Sequence, residues 1–182
     1  IGSEPKQMAR AATILSSAGY DVIDVNLACP VKKIRNKARG GHLLSDESTA
    51  IDMLKAVRDA LPARVPTTLK IRRAYDDSAE SHEIAERLLD TAFSCGYAAA
   101  AVHARTVEQK YGGKASWDFL RKLKRRYHDN IIFGSGDVFD AASAVAMLKK
   151  TGVDGVWIAR GAIGNPWIFQ HAIQLLNGVD EA

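Results

Sequence analysis

"PTTLKIRRAYDDSAESHEIAERLLDTAFSCGYAAAAVH", residues 66–103, reads as strand, helix, strand. Residues 66–72 and 98–103 are short runs of β-branched or apolar residues, the pattern of strands. Between them Ile84, Leu88 and Ala92 recur at helical spacing, which puts one apolar stripe on a helix over about 79–94. That helix closes at "CGY", where glycine can take the left-handed conformation. Two such strands joined through a helix run parallel, with a right-handed crossover.

The same unit repeats on both sides. Further strands are expected at 21–27 (DVIDVNL), 131–135 (IIFGS) and 154–159 (DGVWIA). Helices are expected near 4–18, 46–60, 116–127 and 140–150, with a last one from about 166. In the helix over 46–60, Ala50, Leu54, Val57 and Leu61 share a stripe, and Asp46 and Ser116 stand where N-caps belong. "AGY" and "TGVDG" end other helices as "CGY" does. Such a chain folds as a parallel α/β sheet, either open and doubly wound or part of a (β/α)8 TIM barrel. Five strands cannot close an eight-stranded barrel, so the barrel reading implies a partial one.

The 182 residues suit one domain, and 47% hydrophobic with 25% charged is a globular composition. No apolar run approaches a membrane span and no signal-peptide pattern opens the chain. Cys29 and Cys95 are too few and too far apart for a disulfide framework, so a reduced, cytoplasmic setting is expected. No cysteine–histidine spacing points to a metal. The chain starts at Ile1 as a strand end would enter a helix, and is expected to be a piece of a longer protein. The net charge of +4 is mild, but basic residues cluster at Lys32, Lys33, Arg35, Lys37 and Arg39 and again over 121–126. Each cluster is either a solvated face or a contact for a phosphate backbone.

Chemistry concentrates at the C-terminal ends of the strands, where parallel α/β proteins build their sites. The first strand ends in Asn26, Cys29 and Pro30, and the second carries Lys70. The third ends in His103 and Arg105, the fourth in Ser135, Gly136 and Asp137, and the fifth in Ala159, Arg160 and Gly161. Strand parity separates Asp24 and Asn26 from Ile23, Val25 and Leu27, and Lys70 from Leu69 and Ile71. "GSGD" and "ARGAIG" are glycine-containing turns that each feed a helix, a setting in which amides and a helix end meet phosphate. Arg160 adds a charged fork. A lysine inside an apolar strand needs a partner, either an anionic ligand or an acid such as Asp24. His103 is a donor to a flavin or phosphate, or a satisfied core histidine. A free thiol titrates at roughly 8.5, so Cys29 at neutral pH is suited to give up a proton or, if ionised, to attack.

In combination, "DVNLACPVKK", "LKIR", "VHARTVEQKYGGKASW", "GSGD" and "ARGAIGNPWIF" resemble, in order and approximate spacing, the motifs of the tRNA-dihydrouridine synthase family. The resemblance spans essentially the whole chain and implies a flavin-binding barrel, of which this chain would supply strands four to eight. The first three strands and a C-terminal helical RNA-binding domain would lie outside it. It implies reduction of uridine in tRNA to 5,6-dihydrouridine, with FMN as the hydride source and NADPH or NADH as reductant. Cys29 would be the proton donor and Asn26 would orient the uracil. Lys32, Lys33 and Arg105 would contact RNA. Lys70, His103, Ser135, Gly136, Asp137, Ala159 and Arg160 would hold the flavin. The chain departs from the family in having Ser135 for asparagine, and Ala28, Ala104 and Ala159 for glycine. Two other functions fit parts of the pattern: a flavin barrel acting on free pyrimidines, and a non-catalytic partial barrel that binds phosphate or RNA.

Overall fold

The computed structural model describes residues 1–31 and 39–178. Its helices are α1 (Pro5–Ser17), α2 (Glu47–Asp59), α3 (Ala79–Ser94), α4 (Trp117–Arg126), α5 (Ala141–Thr151) and α6 (Ile168–Leu176). They alternate with strands β1 (Ile23–Leu27), β2 (Thr67–Arg72), β3 (Ala99–His103), β4 (Ile131–Ser135) and β5 (Gly155–Val156). Asp46 and Ser116 cap α2 and α4, accepting from the amides of Thr49 and Phe119. Gly19, Gly96 and Gly152 follow their helices with positive φ, as the turn sequences lead one to expect.

All strand pairs are parallel and spatial order equals chain order, β1-β2-β3-β4-β5. A doubly wound sheet reverses direction at a switch point, whereas a barrel steps the same way at every crossover. The sheet is therefore an arc of a TIM barrel. One face, with Val25, Leu27, Leu69, Ile71, Ala100, Val102 and Ile132, is buried in a core shared with Met53, Leu54, Leu88, Leu120 and Met147 of the helices. The opposite face carries the row Asn26, Lys70, Ala101, Phe133 and Gly155 in register.

Two local features depart from expectation. β5 is only two residues long, paired with β4, and after Val156 only the Trp157 amide continues the ladder to the Gly134 carbonyl. The segment after the basic loop forms a 3-10 turn, Gly40–Ser45, which places Gly41 against the first strand end. Gly41 donates its amide to the Cys29 carbonyl at 2.9 Å. A Cβ there would meet Val107 at 3.0 Å and that carbonyl at 3.1 Å, so the glycine allows close approach. No helix among the described residues is long and apolar enough to cross a membrane.

Candidate active site

The strand ends converge on one cavity of about 290 Å3. Asn26, Cys29, Lys70, His103, Ser135, Gly136, Asp137, Ala159 and Arg160 all line it. At the end of β1, the Asn26 side-chain oxygen accepts from the Ala28 amide at 3.0 Å and bends the chain so that half-buried Cys29 faces the cavity. Lys32 and Lys33 lie outside the described residues.

Lys70 is only 9% exposed, and its ammonium has no hydrogen bond or ion pair among the described residues. The ammonium stands 5.8 Å from the centroid of the Trp157 ring. The salt bridge with Asp24 does not form. Asp24 accepts instead from the Thr68 hydroxyl at 2.7 Å, and burial raises its carboxyl pKa. Desolvation brings the Lys70 pKa down to about 8, helped by repulsion from Arg72 and opposed by Asp24, so the side chain stays mostly cationic at neutral pH.

His103 stands at the end of β3 with Nδ1 3.3 Å from the Ser135 hydroxyl and with Nε2 buried and, among the described residues, unpartnered. Burial, then repulsion from Arg72, Lys70, Arg105 and Arg160, lowers its pKa to about 3. The imidazole is neutral, and one ring nitrogen awaits a partner. Arg105, expected at an RNA contact, is instead 3% exposed and turned inward. It donates to the carbonyls of Gly112 (3.0 Å) and Gly113 (2.6 Å) and to Asp137 Oδ1 (2.6 Å). This placement makes it a tie between the loops after β3 and β4.

Gly136 and Asp137 both have positive φ, 126° and 56°. A Cβ on Gly136 would stand 2.6 Å from that of Ala115, so only glycine fits. The unfavourable backbone at Asp137 is held by its carboxylate, which accepts from the Ala115 amide at 2.7 Å and from Arg105. Burial pushes that carboxyl up, but the Ala115 amide, Arg105 and Arg160 outweigh it and leave its pKa below the ordinary value. Arg160 reaches over the mouth with its guanidinium 5.2 Å from the Tyr111 ring and 5.1 Å from the Phe139 ring. Behind it, a Cβ on Gly161 would fall 2.4 Å from the Val138 carbonyl oxygen, so the two turn loops pack backbone to backbone.

Arg72, Tyr111, Phe139 and Trp157 also line the cavity and were not foreseen. Arg72 shares strand parity with Lys70, a signal the sequence does carry. The other three are brought in by loop paths that no local pattern encodes. The assembly is a strongly cationic pocket with a neutral imidazole, backbone amides and one thiol. It suits an anionic ligand with a flat polar ring, next to a proton donor. Among the described residues no group of three or more His, Cys, Asp or Glu side chains comes together as a metal site.

Comparison with known proteins bears on the family. The family model "Dihydrouridine synthase (Dus)" matches residues 1–181. A probable tRNA-dihydrouridine synthase of Treponema pallidum (strain Nichols) is 39% identical over 183 residues, covering 97% of this chain and 53% of that protein. tRNA-dihydrouridine synthase B of Escherichia coli (strain K12) is 38% identical over 169 residues, covering 93% of this chain and 51% of that protein. Among solved structures, a dipeptide epimerase from Enterococcus faecalis V583 superposes with a TM-score of 0.66 at 16% identity, over 97% of this chain and 41% of that one. That likeness concerns fold alone. The chain spans about half the length of the curated relatives it matches, and on the extent of the family match it belongs to the dihydrouridine synthase family.

Proposed function

We propose that the chain is strands four to eight of the catalytic barrel of a cytoplasmic, flavin-dependent tRNA-dihydrouridine synthase. FMN would occupy the cavity, NADPH or NADH would be the reductant, and tRNA the substrate. The carrying observation is that Cys29, Lys70, His103, Gly136 and Arg160, which come from five strand ends, line one cavity. Three features among the described residues fit FMN: the buried Nε2 of His103 and the cationic Lys70, neither of which has a hydrogen-bond or ion-pair partner there, and the Gly136–Arg160 cradle for a phosphate. Bound there and reduced by the nicotinamide cofactor, the flavin would supply a hydride to carbon 6 of a uracil.

The chain's own residues complete the addition. Cys29 gives its proton to carbon 5, so that two hydrogens are added across the 5,6 double bond, and the thiolate regains a proton from solvent. Asn26 orients the base, which must leave its stack to enter a pocket. Ser135 fixes the His103 ring through Nδ1. Asp137, whose carboxylate is engaged by Arg105 and the Ala115 amide, shapes the cradle through its backbone. Lys32 and Lys33 would contact RNA phosphates, making affinity fall with salt.

The test uses the full-length protein with unmodified tRNA as substrate. Cys29→Ala is expected to keep its flavin and to lose dihydrouridine formation by about a hundredfold or more, measured by mass spectrometry of digested tRNA. Near-normal product from that variant refutes the proton-donor role. A colourless wild-type protein that still binds tRNA would favour the non-catalytic reading.

A further inference from the structure

Arg72 is 4% exposed and ends β2 beside the cavity. Its guanidinium makes three hydrogen bonds of 2.8 Å, all to backbone carbonyls: Nε to Ala28, and Nη1 to both Thr106 and Lys110. No carboxylate among the described residues pairs with it. Desolvation, the foremost influence on this group, lowers its pKa to about 10; it remains a cation at neutral pH. A buried guanidinium is costly to desolvate, and here it is directed at peptide oxygens that lie far apart in the chain. Ala28 immediately precedes Cys29, and Lys110 immediately precedes Tyr111. Lys110 adopts a positive φ of 50°, an uncommon conformation for a non-glycine residue, with its carbonyl bonded to Arg72.

We propose that Arg72 is the positioning residue for Cys29. Its rigid fork clamps the Ala28 carbonyl to the loop after β3, and so fixes where the thiol faces the cavity and where Tyr111 rims the mouth. A second anchor holds the next peptide, on the other flank of the Cys29 Cα, because the Gly41 amide binds the Cys29 carbonyl. Arg72 supplies the only side-chain bond to that pair of carbonyls among the described residues. Lysine cannot replace it: an ammonium keeps the charge but has neither the planar fork nor the reach to span three carbonyls.

The inference rests on the proposed proton-donor role, but its first test does not need catalysis. In the full-length protein, Cys95 at the C-cap of α3 is a second half-buried thiol and serves as an internal reference. With Arg72→Lys, alkylation of Cys29 by iodoacetamide at neutral pH, relative to Cys95, is expected to rise about threefold or more as the peptide is released. An unchanged or lowered ratio overturns the proposal. Arg72→Gln, which buries no charge, serves where the lysine variant fails to fold. There the amides of residues 27–31 and 106–111 are expected to exchange with deuterium about tenfold faster while α5 is unaffected; equal protection of those segments overturns the proposal. In turnover, Arg72→Lys is expected to lower kcat for dihydrouridine formation about tenfold or more, with KM for tRNA and the rate of flavin reduction by NADPH within twofold. An equal loss in the reductive step would show damage to the flavin site and refute a role specific to Cys29. If the wild type forms no dihydrouridine, the function falls and the alkylation ratio alone decides the positioning.

Discussion

At Lys70 and His103 the pocket holds groups in states that the ligand-free chain does not favour by itself. Lys70 has a pKa near 8 against an ordinary 10.5. A depressed lysine contributes its full stability only above the unfolded value, so below pH 8 its buried charge opposes folding, and the penalty fades as pH rises from 8 to 10.5. Lys70→Met should therefore stabilise the ligand-free protein at pH 7 by about 1–3 kcal/mol and flatten the rise between pH 8 and 10.5. The same variant should lose flavin. Urea titration at both ends of that window, with absorbance for bound flavin, checks both halves; a destabilised variant would mean that Lys70 has a partner after all. His103 has the same sign in another window. Its pKa near 3, against 6.5, means that stability is complete above pH 6.5 and declines as pH falls toward 3. His103→Gln should remove that part of the acid sensitivity, read as a shallower dependence of the urea midpoint on pH.

At the level of elements, much of the architecture is written locally. Strands β1 to β4 and the six helices follow the hydrophobic periods, the caps at Asp46 and Ser116, and the glycines after α1 and α3, because these are near-neighbour effects. What escaped was set at a distance. β5 stops at Val156, a boundary that no pattern in "DGVWIA" announces. The inward turn of Arg105 is matched by Asp137 from another loop, and Tyr111 lines the cavity next to a carbonyl that accepts from Arg72 on β2. The site residues were legible because chemistry at strand ends is a general consequence of parallel topology, whereas their mutual bonds were not. Arg58 shows the same distance effect outside the site. From the last turn of α2 it donates to the carbonyls of Leu61, Pro62 and Val65 and to the Thr67 hydroxyl, joining the helix end to β2. Arg58→Met keeps the stem and should cost about 2 kcal/mol, measured as a lower urea midpoint with an unchanged slope. Gly161→Ala acts between elements too. Its Cβ would be 2.8 Å from Cα of Phe139, so the two cradle loops must part, with an expected loss of about 1–3 kcal/mol and weaker flavin retention.

On the scale of the molecule, the described helices cover the sheet on one side only. The helix-facing side is closed, but the side that carries Lys70 leaves Ile131 at 48% and Trp157 at 43% exposure. Beyond β5, Ile163, Trp167, Phe169 and Ile173 of the last segment are also exposed, and α1 shows Ile14 at the other end. Neither β1 nor β5 has a second strand partner among the described residues. Exposed apolar surface at two open edges is what a barrel arc presents when further βα units belong beside it, in keeping with relatives about twice as long. Trp157 reports on this directly, since it stands over the cavity beside Lys70. In a Trp167→Phe background, acrylamide should quench the fluorescence of residues 1–182 strongly. In the full-length protein the quenching constant should fall by about half or more, as neighbouring strands cover Trp157 while Trp117 keeps its hydrogen bond to Gly136. Equal quenching in both would mean that nothing closes over this face, and that the flavin lies against an open sheet.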